Sequence, residues 1–138
     1  MYPDSINPVN GIFVQQQVKM LSKYYRVKVI ATSFSHPYRI DRSEVEGIRV
    51  VYIYFPSRCK AHILSPIAYR KFCLPIIKDE IEHFSPDIIH VHDCRHIPEL
   101  FCLGSVLRRF KGKRILTLHN IRTHPKEISN PITKRLYG

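Results

Sequence analysis

A chain of 138 residues with 44% hydrophobic content is sized for one domain around a single buried core. Its 22 Lys and Arg against 11 Asp and Glu give a formal net charge of +11, which points to anionic partners. No apolar run approaches the roughly 18 residues that cross a bilayer, which excludes a membrane-spanning helix, and the opening Met1-Tyr2-Pro3-Asp4 lacks a basic region followed by an apolar stretch, so a cytoplasmic chain is expected.

From Tyr2 to Asn10 the sequence is turn chemistry, with Pro3, Asp4, Ser5, Asn7, Pro8 and Asn10. Directly after Gly11 a helix is predicted, because Val14, Val18, Leu21 and Tyr25 recur as one apolar stripe. Val27 to Thr32 is β-branched and apolar and predicts a strand; His36 to Gly47 is polar, carries Pro37 and Asp41, and reads as the connection to a second strand, Ile48 to Tyr54. Pro56 to Ser65 reads as a mobile loop. A second helix opens at Ser65-Pro66, where Ser can cap and Pro can take the first helical position, and its stripe is Leu74, Ile77, Ile81 and Phe84. Pro75 is expected to kink or restart it. Asp87 to His92 is a third strand. Pro98-Glu99 opens a third helix striped by Leu100, Leu103, Leu107 and Phe110 and closed by Gly112, and Arg114 to His119 is a fourth strand. Beyond it, Asn120 to Gly138 has room for a loop and a basic helix through Ile132 to Tyr137.

Helix and strand thus alternate, and Ile88-Ile89 and Ile115-Leu116 are apolar on both faces, as in a covered parallel sheet. The expected architecture is a three-layer α/β sandwich. Such sheets normally open with a buried strand that delivers a Gly-bearing loop to the first helix; here the sequence opens in the loop, so the expected sheet lacks its first strand, and the strands at Val27 and Asp87 would each carry an unpaired edge.

Three constellations carry candidate chemistry. Gly11, at a loop-to-helix junction, lets backbone approach a ligand, and the helix amides attract phosphate or carboxylate; it serves equally as a plain tight turn, and it is no G-x-G-x-x-G fingerprint. His90 and His92 share one face of a strand, the spacing of a zinc pair whose third ligand would come from Asp93, Cys94 or His96, and the favoured reading, for His90 above all, is a hydrogen-bonded structural histidine. Segment 105–138 holds nine basic residues against one acid, a surface for nucleic acid, anionic lipid or a phosphorylated substrate, or simply a solvated face. Cys59, Cys73, Cys94 and Cys102 form neither a C-x-x-C pair nor a zinc-ribbon spacing and read as reduced thiols.

Three motifs in order, Tyr2-Pro3 through Pro8, Gly11, Phe13, Val14 and Gln17, then Ser85-Pro86-Asp87-Ile88-Ile89-His90-Val91-His92-Asp93, then Leu116-Thr117-Leu118-His119-Asn120, give the chain a resemblance to the N-terminal domain of retaining family-four glycosyltransferases of the GT-B fold. The resemblance implies a Rossmann-like, acceptor-side domain over residues 1–138 and a separate C-terminal donor-nucleotide domain that this sequence does not contain. It implies His119 as the catalytic-centre histidine beside the donor sugar. Asn10 and Gly11 would face the donor diphosphate and the acceptor, with Asn10 standing where the family often has a first glycine. His92, Asp93, Arg95 and Asn120 would face the acceptor pocket, Arg95 as a phosphate or carboxylate clamp. The implied reaction moves a sugar from a nucleotide-diphosphate donor to a sugar or lipid-linked acceptor with retention and without a required metal or other cofactor, at the inner face of an anionic membrane. Two other readings of the residues are a basic nucleic-acid-binding module, opposed by the lack of any helix-turn-helix, stacking platform or Cys/His finger, and a different Rossmann-like ligand-binding module.

Overall fold

The computed structural model describes residues 2–4, 8–9, 11–35, 37–56, 65–92 and 97–117. They form a mixed α/β structure whose sheets are open, and they divide into two compact units, 1–85 and 86–138.

The first unit begins with α1, Ile12–Leu21, which buries Val14 and Val18 of the apolar stripe. Gly11 sits in the left-handed region at φ 75° as its N-cap, and its carbonyl accepts hydrogen bonds from the Val14 amide at 2.9 Å and the Gln15 amide at 3.2 Å. The helix stops at Leu21, so Tyr25, the last member of the predicted stripe, lies outside it and is 66% exposed. Strand β1, Lys28–Phe34, then runs parallel to β3, Ile48–Phe55.

Between them the structure corrects the sequence reading. Residues Arg39–Val45, predicted as a connection, form strand β2, antiparallel to β3, so the sheet is mixed and ordered β1-β3-β2. A two-residue turn joins the hairpin: Val45 pairs with Ile48 around Glu46 at φ 52° and Gly47 at φ 78°. Two consecutive left-handed residues are what a right-twisted hairpin requires, and the glycine adopts that conformation without steric cost while the glutamate does not.

Strand β3 is the centre of this unit, with six of its eight residues buried. Its Ile48 and Val50 pack with Val14, Val18 and Tyr2, and Val27, Val29, Ala31, Val45 and Tyr52 surround that cluster. On the opposite face Phe55 meets Phe34 across the ladder at 4.7 Å and Tyr69 edge-on at 5.7 Å between ring centroids. Tyr69 belongs to a continuous run of helix: α2, Ser65–Ala68, a π-helical stretch, Tyr69–Cys73, and α3, Leu74–Phe84. The π turn explains how Pro75 is tolerated. A proline ring collides with the carbonyl four residues back and offers no amide; the wider turn, in which the Leu74 amide reaches back five residues to the Tyr69 carbonyl, relieves that clash, and the α-helix restarts with Pro75 in its first turn, one of the two outcomes expected. Leu74 and Ile77 are buried as the stripe predicts.

One buried charge ties this helix to the strands. Glu80, 6% exposed, pairs with Lys28 of β1 through Oε2, and its Oε1 accepts from Nε and Nη2 of Arg42 on β2 at 3.2 and 3.1 Å. Burial works to raise its pKa, but the hydrogen bonds and charges of Lys28 and Arg42 outweigh burial, and the carboxyl is held below its ordinary value.

The second unit is a βαβ element. Parallel strands β4, Ile88–His92, and β5, Lys113–Thr117, are joined by α4, Ile97–Leu107, in which Leu103 and Val106 are buried. The third predicted helix and the fourth predicted strand are therefore present, with β5 described through Thr117, and the basic helix expected through Ile132 to Tyr137 lies outside the described residues. Ile88 and Ile115 are 49% and 46% exposed, against the expectation of strands covered on both faces. Gly112 ends the return loop because a Cβ there would collide with the Asp87 carbonyl and the Phe110 ring. Among the described residues β1 has β3 as its one ladder partner and β4 has β5.

Candidate functional site

Strands β1 and β3 run in the same direction, so their carboxyl ends lie side by side, the edge at which open α/β sheets take ligands. Period-two alternation puts Ala31 and Ser33 of β1 opposite Tyr52 and Tyr54 of β3 on one face. The segment Tyr2-Pro3-Asp4 lies against them: the Tyr52 hydroxyl donates to the Pro3 carbonyl at 2.7 Å, and the Tyr54 hydroxyl donates to Asp4 Oδ2 at 3.3 Å. Tyr2, Asp4, Ala31, Thr32, Ser33, Tyr52 and Tyr54 line a small open hollow of about 20 Å³, room for about one water molecule.

The aromatic rings form a wall of this hollow. Tyr52 and Tyr54 lie side by side with centroids 6.2 Å apart and planes 18° from parallel, and Tyr2 is tilted by 53° at 6.4 Å from Tyr52. The guanidinium of Arg39, on the neighbouring β2, sits 4.1 Å from the centre of the Tyr54 ring and donates through Nε to Asp41 at 3.0 Å. Burial pushes the phenols of Tyr2, Tyr52 and Tyr54 above their ordinary pKa, so all three are neutral at physiological pH and keep a hydroxyl proton to donate. The Tyr2 hydroxyl is buried with no hydrogen-bond partner among the described residues.

The residues singled out by sequence fall elsewhere. Gly11 caps α1 as described. His92 ends β4 as the register partner of Thr117, and its ring lies 4.0 Å from the His90 ring at 32°. His90 Nε2 is 2.7 Å from Thr117 Oγ1, so the hydroxyl of one motif and the histidine of another share a hydrogen bond. Asn10, Asp93, Arg95, His119 and Asn120 lie outside the described residues, as do Cys94 and His96 of the candidate zinc set. No group of three or more His, Cys, Asp or Glu side chains converges among the described residues.

No family model, curated protein or solved structure matches this chain. Its site is therefore read from its own residues.

Sequence reasoning missed the tyrosine hollow. Its signal was present in Val51-Tyr52-Ile53-Tyr54, where two phenols recur at period two and so share a face. Nothing local said that Tyr2 and Asp4, about 50 positions earlier, would close that face.

The basic residues of the second unit that the structure describes, Arg108, Arg109, Lys111, Lys113 and Arg114, are all exposed. Among the described residues none of them forms an ion pair, and Arg114 Nη1 donates to the Leu107 carbonyl at 3.3 Å. No helix among the described residues is long and apolar enough to cross a membrane.

Proposed function

We propose that this chain is the acceptor-side part of a retaining glycosyltransferase, which moves a sugar from a nucleotide-diphosphate donor to an acceptor hydroxyl. The observation that carries the reading is the pairing of two motif segments: His92 and Thr117, from the second and third motifs, are register partners at the carboxyl end of a parallel pair. Ligands of open α/β sheets sit at that edge. Gly11, from the first motif, holds the left-handed backbone that its place in the loop-to-helix junction requires. In the full proposal the domain is a three-layer Rossmann-like sheet, the donor nucleotide is held by a second domain, His119 contacts the donor sugar, and Asn10, Gly11, His92, Asp93, Arg95 and Asn120 line the donor and acceptor positions. No metal or other cofactor takes part.

The test is transfer from nucleotide-diphosphate sugars labelled in the sugar, assayed in the protein together with its donor domain. His119→Ala is expected to lower turnover about 100-fold, the scale of losing one donor aimed at developing charge, while circular dichroism stays that of the parent. Turnover unchanged in this variant overturns the assignment.

A further inference from the structure

Apolar side chains scattered singly over a surface need no explanation, but on this chain they gather. Among the described residues eleven large apolar side chains are exposed, and six of them, Val9, Ile12, Phe13, Met20, Tyr24 and Tyr25, fall in one stretch around α1. Val14 and Val18 are the residues that α1 buries against the sheet, and Phe13 and Met20, two turns apart, share the side turned away from it. The turn that follows the helix continues the display with Tyr24, which is 77% exposed.

We propose that this outer face of α1 is a membrane-binding surface, which lies flat on an anionic bilayer with its apolar side chains at the boundary between headgroups and acyl chains. The proposal depends neither on the function proposed above nor on the basic residues of the second unit.

The charge around the face selects the partner. Residues 5–40 contain no acid, and Lys19, Lys23 and Arg26 are exposed on α1 and the turn after it. Glu46 answers Lys19 at 2.8 Å, while Lys23 and Arg26 enter no ion pair among the described residues. The Arg26 guanidinium lies 4.8 Å from the centre of the Phe84 ring and keeps its charge at the surface. A second copy of a chain with net charge +11 would set these cations against their own kind, whereas anionic headgroups neutralise them.

The side chains suit a bilayer boundary better than a groove in a protein. A helix that docks in a groove offers anchors at every turn, and here Gln16 and Gln17 interrupt the row between Phe13 and Met20. Lysine stems lie along apolar surface while their ammonium groups reach the headgroups, tyrosine keeps a wet hydroxyl above a buried ring, and methionine adapts to a fluid neighbour. With ten residues α1 is too short to span the hydrocarbon, so a helix of this composition lies in the plane of the interface.

The chain has no Trp, so a single introduced one reports its own surroundings. Tyr24→Trp puts the reporter on the proposed face. Ile67→Trp is the control, exposed on α2 in the helical run that covers the opposite face of the sheet. With phosphatidylserine-containing vesicles carrying brominated acyl chains, at low salt, emission from Tyr24→Trp is expected to fall about twofold and shift to the blue, and that from Ile67→Trp to stay unchanged. Ile12→Ser combined with Met20→Ser, both at exposed positions, is expected to weaken vesicle binding about tenfold with the thermal transition unchanged. Four results overturn the proposal: no vesicle binding, vesicle binding without quenching at Tyr24→Trp, as attachment through the second unit alone would give, equal quenching of both reporters, or a serine variant that binds as tightly as the parent. A blue shift of Tyr24→Trp that grows with protein concentration in the absence of vesicles overturns it as well, because a second copy would then occupy the face.

Discussion

Glu80 shows at the scale of one residue how this fold uses charge. It is buried, it answers both Lys28 and Arg42, and its pKa lies below the ordinary 4.5 although burial alone pushes the other way. Glu80→Gln leaves Lys28 without its partner and is expected to lower stability at pH 7 by about 3 kcal/mol, the lower end for breaking a buried pair because Arg42 keeps water access. The pH dependence has a definite sign. A carboxyl whose folded pKa is depressed binds fewer protons when folded, so its contribution is complete above 4.5 and disappears as the pH falls through the folded value. Urea titrations from pH 7 down to pH 3 should therefore show the variant losing less stability on acidification than the parent. Parallel acid limbs would remove Glu80 as the cause. None of this could be read from the sequence, where Glu80 is one acid in a helix of mixed charge and its partners lie 52 and 38 positions away.

Among the elements, the hairpin of β2 and β3 separates what local sequence reveals from what it hides. Arg-Ile-Asp-Arg-Ser-Glu-Val looks like a loop because an edge strand facing water needs few apolar residues, and its two hydrophobes, Ile40 and Val45, lie on opposite faces and so mark no alternation. The Glu46-Gly47 turn is equally quiet, since a glutamate is rarely the first left-handed residue of such a turn. The predicted stripe of α1 was legible at Val14 and Val18 because burial follows the helical period, and it misled at Tyr25 because a period continues in sequence after the backbone has turned away. Gly47→Ala has open space around its Cβ, so the expected loss of about 1 kcal/mol comes from the left-handed backbone alone. Gly112→Ala has no such space and is expected to cost more and to loosen the Asp87–Lys113 closure, where the Lys113 amide donates at 2.9 Å. Chemical denaturation of the two variants checks the order; Gly47→Ala as the worse of the two would contradict it.

For the molecule as a whole, the charge predicted an anionic partner, and the structure exposes five basic residues from the end of α4 into the start of β5. Each Lys or Arg near an anionic bilayer contributes about 1 kcal/mol at ordinary salt, so this group together is enough for reversible attachment. Sedimentation with phosphatidylserine-containing vesicles should carry the protein down at 50 mM salt and release it at about 0.5 M, where the screening length is a few ångströms. Arg108→Glu with Arg109→Glu should weaken it most. Equal binding to neutral phosphatidylcholine would refute the electrostatic account. The architecture was legible as alternating helix and strand, while His119, residues 93–96 and the basic residues beyond Thr117 lie outside the described residues and rest on sequence alone.

The order β1-β3-β2 gives the sheet two unlike margins. β2 is blunt: Arg39, Asp41, Arg42 and Glu44 line it, and a strand approaching from that side meets charges of both signs and must desolvate them before any backbone bond forms. β1 is adhesive, since Val29, Ile30 and Ala31 stand beside a row of amides and carbonyls that no described residue takes up. Growth of the sheet is therefore one-way. Whatever strand joins it, from this chain or another, is set in register by β1 and not by the hairpin.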